Sequence, residues 1–180
     1  HKAIRGSDCQ AALYYLARQI TAGEDVRYIA RRLIRAATED IGLADPQALQ
    51  IALNGLQAYE TLVSPEGDLA IAQVVLYLAL APKSNSAYTA FNDAKVHAEQ
   101  TSHYSPPSYI INAATPWMQK NGFGEGYLYD HDQKDGFSGQ NYFPEKVPPQ
   151  QYFSPVERGF ERELAKRLAY FNKLRQEKNC

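Results

Sequence analysis

The residues most able to do chemistry lie close together in one loop: Asp130-His131-Asp132, followed by Asp135 and Gly136. Three carboxylates and an imidazole could bind a metal or move a proton, but only if they converge on one point. Neighbouring residues of a loop point apart, so a solvated or structural cluster is expected here rather than a site. The second carboxylate pair, Glu39-Asp40, falls in a helical stretch, where successive side chains are about 100° apart. It reads as a charged rim of that helix. The chain has no GxxxxGK[ST], GxGxxG, HExxH or GxSxG pattern, so no phosphate cradle, zinc helix or nucleophile elbow is expected. The expectation is a chain without catalytic residues, cofactor ligands or metal ligands of its own. The remaining candidates are Arg27, Arg31, Arg32 and Arg35, grouped along one helical run. Arginines so placed are expected to form a solvated or subunit-interface face, with phosphate contacts as the alternative.

These side chains need elements to carry them, and the chain reads as helices throughout its first hundred residues. The organising stretch is Leu69 to Ala81, thirteen residues with Gln73 as the one clearly polar side chain. Ser64-Pro65-Glu66 offers a cap, a first-turn proline and an acid, while Pro82 ends the run. It is too short to span a bilayer and reads as a central helix with no solvent face. Before it, Ser7 is placed to cap a helix with Cys9, Ala12, Leu13, Leu16, Ala17 and Ile20 at helical spacing, ended by Gly23. A second helix from about Asp25 puts Val26, Ile29, Ala30, Leu33, Ile34, Ala37 and Ile41 on one face and the four arginines on the other. Glu39 stands four residues after Arg35, the spacing of a helical ion pair. Asp45-Pro46 starts a third helix to about Val63, with Leu49, Ala52, Leu53, Leu56, Tyr59 and Leu62 as a wide face predicted to be buried on more than one side. A fifth helix follows the central one, from about Ser84 to Gln100.

The pattern changes at Thr101. Pro106-Pro107 interrupts any helix, Thr115-Pro116-Trp117-Met118 predicts one short turn, and Asn121-Gly122 ends it. Residues 123–153 show no sustained period yet hold eight of the 21 aromatic residues. Disordered linkers are depleted in such residues, so an irregular but ordered excursion anchored by aromatic rings is predicted. Ser154-Pro155-Val156-Glu157 then reads as a capping box opening a long helix with the stripe Val156, Phe160, Leu164, Leu168 and Phe171.

A net charge of -1 gives the whole chain no pull toward nucleic acid or anionic membrane, so any such contact must be local. Residues 1–41 carry +2, residues 154–180 carry +3 and the aromatic excursion carries -3. Single-strand binders stack bases on rings inside a basic groove, and in the excursion the rings and the positive charge lie apart. Cys9 and Cys180, with no CxxC, read as free thiols of a reducing compartment, and no transmembrane or targeting segment is visible.

The run Ile29-Ala-Arg-Arg-Leu-Ile-Arg-Ala-Ala-Thr-Glu-Asp-Ile-Gly-Leu-Ala-Asp-Pro46 follows Ile4-Arg-Gly-Ser-Asp8 and Ala12-Leu-Tyr-Tyr-Leu-Ala-Arg18. Further on stand Leu78-Ala-Leu-Ala-Pro-Lys-Ser-Asn85, Gly122-Phe-Gly-Glu-Gly-Tyr127, Gly139-Gln-Asn-Tyr142 and Tyr152-Phe-Ser-Pro-Val-Glu-Arg-Gly-Phe-Glu161. In this order, across nearly the whole chain, they closely resemble the C-terminal region of the replication-associated recombination protein A family. Its members are AAA+ ATPases related to clamp loaders and to the eukaryotic Werner-helicase-interacting ATPase. The resemblance implies an all-α, compact multi-helix domain like the clamp-loader collar. Residues 1–180 would form one helical oligomerisation domain, with core helices over 1–100, the excursion over 101–153 and the C-terminal helix over 154–180. It implies further that an ATPase core holding ATP and Mg precedes His1, and that the domain assembles a homotetramer. The intact protein would be a cytoplasmic, DNA-stimulated ATPase at stalled replication forks, meeting DNA and single-strand-binding protein or other replication proteins, but no membrane. The rival expectation is a DNA-contacting or partner-binding module that is monomeric in isolation, with Arg27, Arg31, Arg32 and Arg35 as its contacts.

Overall fold

Aspartates start the first two long helices. The computed structural model describes residues 1–179. After a single turn, α1 (Lys2–Arg5), Asp8 accepts a 2.9 Å hydrogen bond from the Ala11 N–H and opens α2 (Cys9–Thr21). Ser7, the cap expected from sequence, instead takes a left-handed φ of 59° in the turn between them. Asp25 caps α3 (Val26–Ala36) through the Arg27 N–H. The helix then widens into a π turn over Ala37–Ile41 and tightens to a 3₁₀ turn over Gly42–Ala44. Asp45 Oδ1 accepts from the Gln47 N–H at the head of α4 (Gln47–Leu62).

The central helix, α5 (Asp68–Leu80), starts later than Ser64-Pro65 suggests. Residues 64–67 form a turn, and the Ser64 hydroxyl donates to the Asp68 carboxylate at 2.6 Å rather than capping the helix from the front. Helix α5 packs against all four helices before it. Its inner face of Ile71, Val74, Val75, Leu78 and Ala79 meets Ile29, Ala30, Leu33, Ala36 and Ile41 in one apolar core. Burial of these aliphatic side chains, at about 1.5–3 kcal/mol each, is the dominant favourable term.

The expectation that α5 has no solvent face is overturned. Leu69 and Leu80 are 65% and 68% exposed, and Gln73 is exposed between them. Helix α4 departs from expectation in the same way. Its buried positions are the small residues Ala48, Ala52 and Gly55, whereas Leu49, Leu53 and Leu62 face solvent. Small residues let the α4 backbone approach α5 closely, and this leaves the leucines outside.

Asp45 also joins α4 to α5, since Oδ2 accepts a 2.5 Å hydrogen bond from the Tyr77 hydroxyl. That bond, with partial burial, pushes the Tyr77 phenol up to about 12 from 10.0. A raised folded pKa favours the neutral phenol. The stabilisation is therefore full below pH 10 and is lost as pH rises toward 12. Tyr77→Phe should cost about 1 kcal/mol at neutral pH. It should also flatten the stability loss across that alkaline window, as read by urea unfolding at stepped pH. An unchanged alkaline slope would remove the role given to this bond.

Helix α6 (Ser86–Thr101) follows, then a 3₁₀ turn at Ser108–Ile110 and the short α7 (Pro116–Lys120), the turn the sequence predicts, capped by the Thr115 hydroxyl. The last helix, α8 (Glu161–Lys178), opens seven residues after the predicted Ser154 cap. Glu161, fully buried, accepts from the Ser86 hydroxyl and the Val156 N–H, both at 2.7 Å. Gly159, at φ 53°, brings the Phe160 N–H onto the Ala44 carbonyl at 2.8 Å. These ties hold residues 154–160 off the helix, so the apparent capping box does not act as one.

Two units make up the structure: His1–Phe91 with Phe153–Ala165, and Asn92–Tyr152 with the chain from Lys166 onward. In the second, the excursion is ordered through its rings, as expected. Tyr152 hydrogen-bonds His97 of α6 at 2.6 Å and packs near Phe143, while Phe137 stacks on Phe171 of α8 with its ring centroid 5.3 Å from the Arg175 guanidinium. The Lys178 ammonium donates to the Phe137 carbonyl and the Tyr109 hydroxyl to that of Asn141. Among the described residues there is no strand, and no helix is long and apolar enough to cross a membrane. Cys9 carries a free, half-buried thiol; Cys180, the other expected free thiol, lies outside the described residues.

Candidate interaction surface

The four arginines of α3 do not form one uniform basic face. Arg35 makes the predicted i, i+4 pair with Glu39 at 2.7 Å, and this hydrogen bond raises its pKa further. Arg27 reaches Glu60 of α4 at 3.5 Å. Arg31 stands over the Tyr28 ring, 5.9 Å from its centroid. Arg32 has a different setting. It borders a groove of about 550 Å³ between α1, α2 and α3, together with Lys2, Tyr15 and Tyr28. Two of the four are thus drawn toward carboxylates, and Arg31 and Arg32 remain on the aromatic side of the helix.

Glu39 and Asp40 part company as well. Asp40 is buried rather than on a rim, because the π turn rotates it inward. Its carboxylate accepts from Arg5 Nε at 2.6 Å and from the His1 ring at 2.7 Å, and its carbonyl accepts from the Ser84 N–H at 2.8 Å. Arg5 is held above its ordinary pKa chiefly by that hydrogen bond. Asp40 is therefore a fastener between α1, α3 and the 81–84 segment. A strict 3.6-residue period cannot reveal this, because the π turn breaks it.

The loop around Asp130 is also structural. Asp130 accepts from the Ser138 N–H at 2.7 Å and from the Tyr142 hydroxyl at 3.1 Å. The Ser138 bonds hold its carboxyl below the usual range. Among the described residues no three His, Cys, Asp or Glu side chains converge as metal ligands.

The surface that needs explaining is apolar. On α5, Leu69, Gln73, Leu76 and Leu80 are spaced i, i+4, i+7 and i+11, which is one face of a helix. Leu76 and Leu80 border a shallow depression of about 530 Å³ that also takes in Tyr77 and Pro82. The α4 leucines Leu49 and Leu53, one turn apart, are exposed as well. Sequence reasoning missed these as surface residues because hydrophobicity alone assigned them to a core. The signal was present in Gln73, whose position marks the outward side.

Relatives of this sequence are known. The chain matches the family described as "MgsA AAA+ ATPase C terminal" over residues 6–172. It is 46% identical over 178 residues to the replication-associated recombination protein A of Coxiella burnetii, covering 98% of this chain and 40% of that protein. The protein of the same name from Escherichia coli K12 is 43% identical over 171 residues, covering 94% and 38%. ATPase WRNIP1 of Dictyostelium discoideum is 38% identical over 154 residues, covering 85% and 18%. The chain thus spans about two fifths of its bacterial relatives' length. With a match running from Gly6 into α8, this chain belongs to the MgsA AAA+ ATPase C-terminal family.

Proposed function

We propose that this chain is the homo-oligomerisation domain, forming a tetramer, of an AAA+ ATPase that works in DNA replication, recombination and repair. The observation carrying the reading is the outer face of α5, where Leu69 and Leu80 are 65% and 68% exposed on a helix that otherwise forms the core. Exposed leucines repeated along one helix face mark a surface for association. A second copy is the natural occupant, since a self-complementary patch is reused by symmetry. The whole protein would be a DNA-stimulated ATPase of the cytoplasm whose ATP and Mg are held in the region beyond this one. Its partners would be DNA and single-strand-binding protein or other replication proteins. The names of the relatives support the part in replication and recombination.

Sedimentation of the 20.2 kDa chain over a concentration series tests the assembly. The expected mass is that of four chains. Leu69→Lys with Leu80→Lys should shift it to one chain at unchanged helical circular dichroism, whereas replacing Arg27 and Arg35 by alanine should not. A monomeric wild type, or a double lysine variant that stays assembled, would sink the reading.

A further inference from the structure

We infer that α5 pairs antiparallel with α5 of a second copy about a twofold axis beside Gln73, each copy seating Leu69 in the other's depression between Leu76, Leu80 and Pro82. This rests on the reading of the chain as a self-assembling domain and specifies the contact. Three observations carry it. The outward residues Leu69, Gln73, Leu76 and Leu80 are separated by four, three and four positions, the alternation with which two helices interlock side chains along a seam. The face is also uneven. Leu69 stands out at 65% exposure at the start of α5, whereas the depression of about 530 Å³ lies toward the end of the helix, walled by Leu76, Tyr77, Leu80 and Pro82.

From Leu69 to Leu80 the helix rises about 16 Å. A parallel pair would set knob on knob and hollow on hollow. An antiparallel pair fills both hollows through two identical contacts, as an isologous interface requires. Asp45, at the edge of the hollow, is engaged by the Tyr77 hydroxyl at 2.5 Å, so seating Leu69 there buries no unpaired charge. The third observation is the polar residue of the face. The register that matches Leu69 to Leu80 brings the two copies of Gln73 to either side of the axis. A carboxamide both donates and accepts hydrogen bonds, so each can satisfy the other. An acidic or basic partner would find no charge to meet on Leu69, Gln73, Leu76 and Leu80. Each copy meets one partner across α5, and four chains assemble from such pairs.

Cysteine crosslinking of the 180-residue chain carrying Cys9→Ser and Cys180→Ser reads the geometry. Leu69→Cys and Leu80→Cys are made in separate chains and coexpressed. Oxidation should give a disulfide-linked dimer from the coexpressed variants and none from either variant alone. A Leu69→Cys chain that crosslinks to itself would show parallel pairing and overturn the inference. Gln73→Glu adds a second readout, since two carboxylates would then face each other across the axis. It should lower the sedimenting mass at about pH 7.5 and restore it at about pH 4, near the ordinary Glu pKa, while wild type holds its mass at both. Equal assembly of Gln73→Glu at both pH values would overturn the placement of Gln73 by the axis. Circular dichroism should match wild type in every variant, because all three positions are exposed. A wild type of four chains with no crosslink from the coexpressed variants would overturn this inference alone. A monomeric wild type would overturn the reading it rests on as well.

Discussion

Gly159→Ala is expected to destabilise the unit containing α1–α5 by about 3 kcal/mol or more, adding backbone strain of about 1–2 kcal/mol to a steric term of about 1–3. The backbone at this position has φ 53°, a region costly for any residue with a Cβ. The added carbon would also stand 2.1 Å from the Ala44 carbonyl oxygen, 2.8 Å from Pro82 Cγ and 2.9 Å from the Ala44 carbonyl carbon. Two of those atoms are backbone and cannot move as a side-chain tip does. Relief would have to come from breaking the Phe160 N–H bond to Ala44 and, with it, the placement of buried Glu161 on Ser86 and Val156. Urea unfolding followed by circular dichroism, at one fixed chain concentration because any assembly would couple to stability, measures the loss. A midpoint within error of wild type would mean that residues 153–165 are not held against the rest of the unit as described.

The same strap shows where sequence reasoning stops. Ser154-Pro155-Val156-Glu157 has every local feature of a helix start, and the chain still begins α8 at Glu161. What decides the matter is non-local: a carbonyl at Ala44 and a hydroxyl at Ser86, more than seventy residues upstream, claim the groups that a helix would have used. Helix starts set by immediate neighbours were legible, as at Asp25 and Thr115. The amphipathic face of α3 was equally plain, since Val26, Ile29, Ala30 and Leu33 are buried as their spacing demands. The candidate surface was less legible. Counting aromatic residues along the chain directs attention to the excursion, whereas Tyr15 and Tyr28, thirteen residues apart on different helices, come to line one groove only in the folded chain. Burial on α4 misled for a related reason. Hydrophobicity ranks leucine above alanine and glycine, but the contact with α5 is set by how closely the backbones can approach.

That close approach has its own test, in which a normally favourable change turns unfavourable. Gly→Ala within a helix usually gains about 1 kcal/mol from backbone entropy and propensity. At Gly55, in the middle of α4, the new Cβ would lie 2.2 Å from Val74 Cγ2 on α5, and a valine on a packed helix has no second rotamer of comparable energy to adopt. Overpacking of this kind costs about 1–3 kcal/mol, or more where two helix backbones must separate. A net loss of about 2 kcal/mol is therefore expected for Gly55→Ala. Val74→Ala alone should also be destabilising by about 2 kcal/mol, from two buried methyl groups removed and the void they leave. Together the two changes should cost well under their sum, because the methyl introduced on α4 occupies the space vacated on α5 and the helix keeps its propensity gain. A coupling energy of about 2 kcal/mol from the four unfolding curves is the expected reading. Additive effects, or a Gly55→Ala variant more stable than wild type, would mean that α4 and α5 stand further apart than described. In that case the outward turn of Leu49 and Leu53, which follows from small residues facing α5, would lose its physical cause.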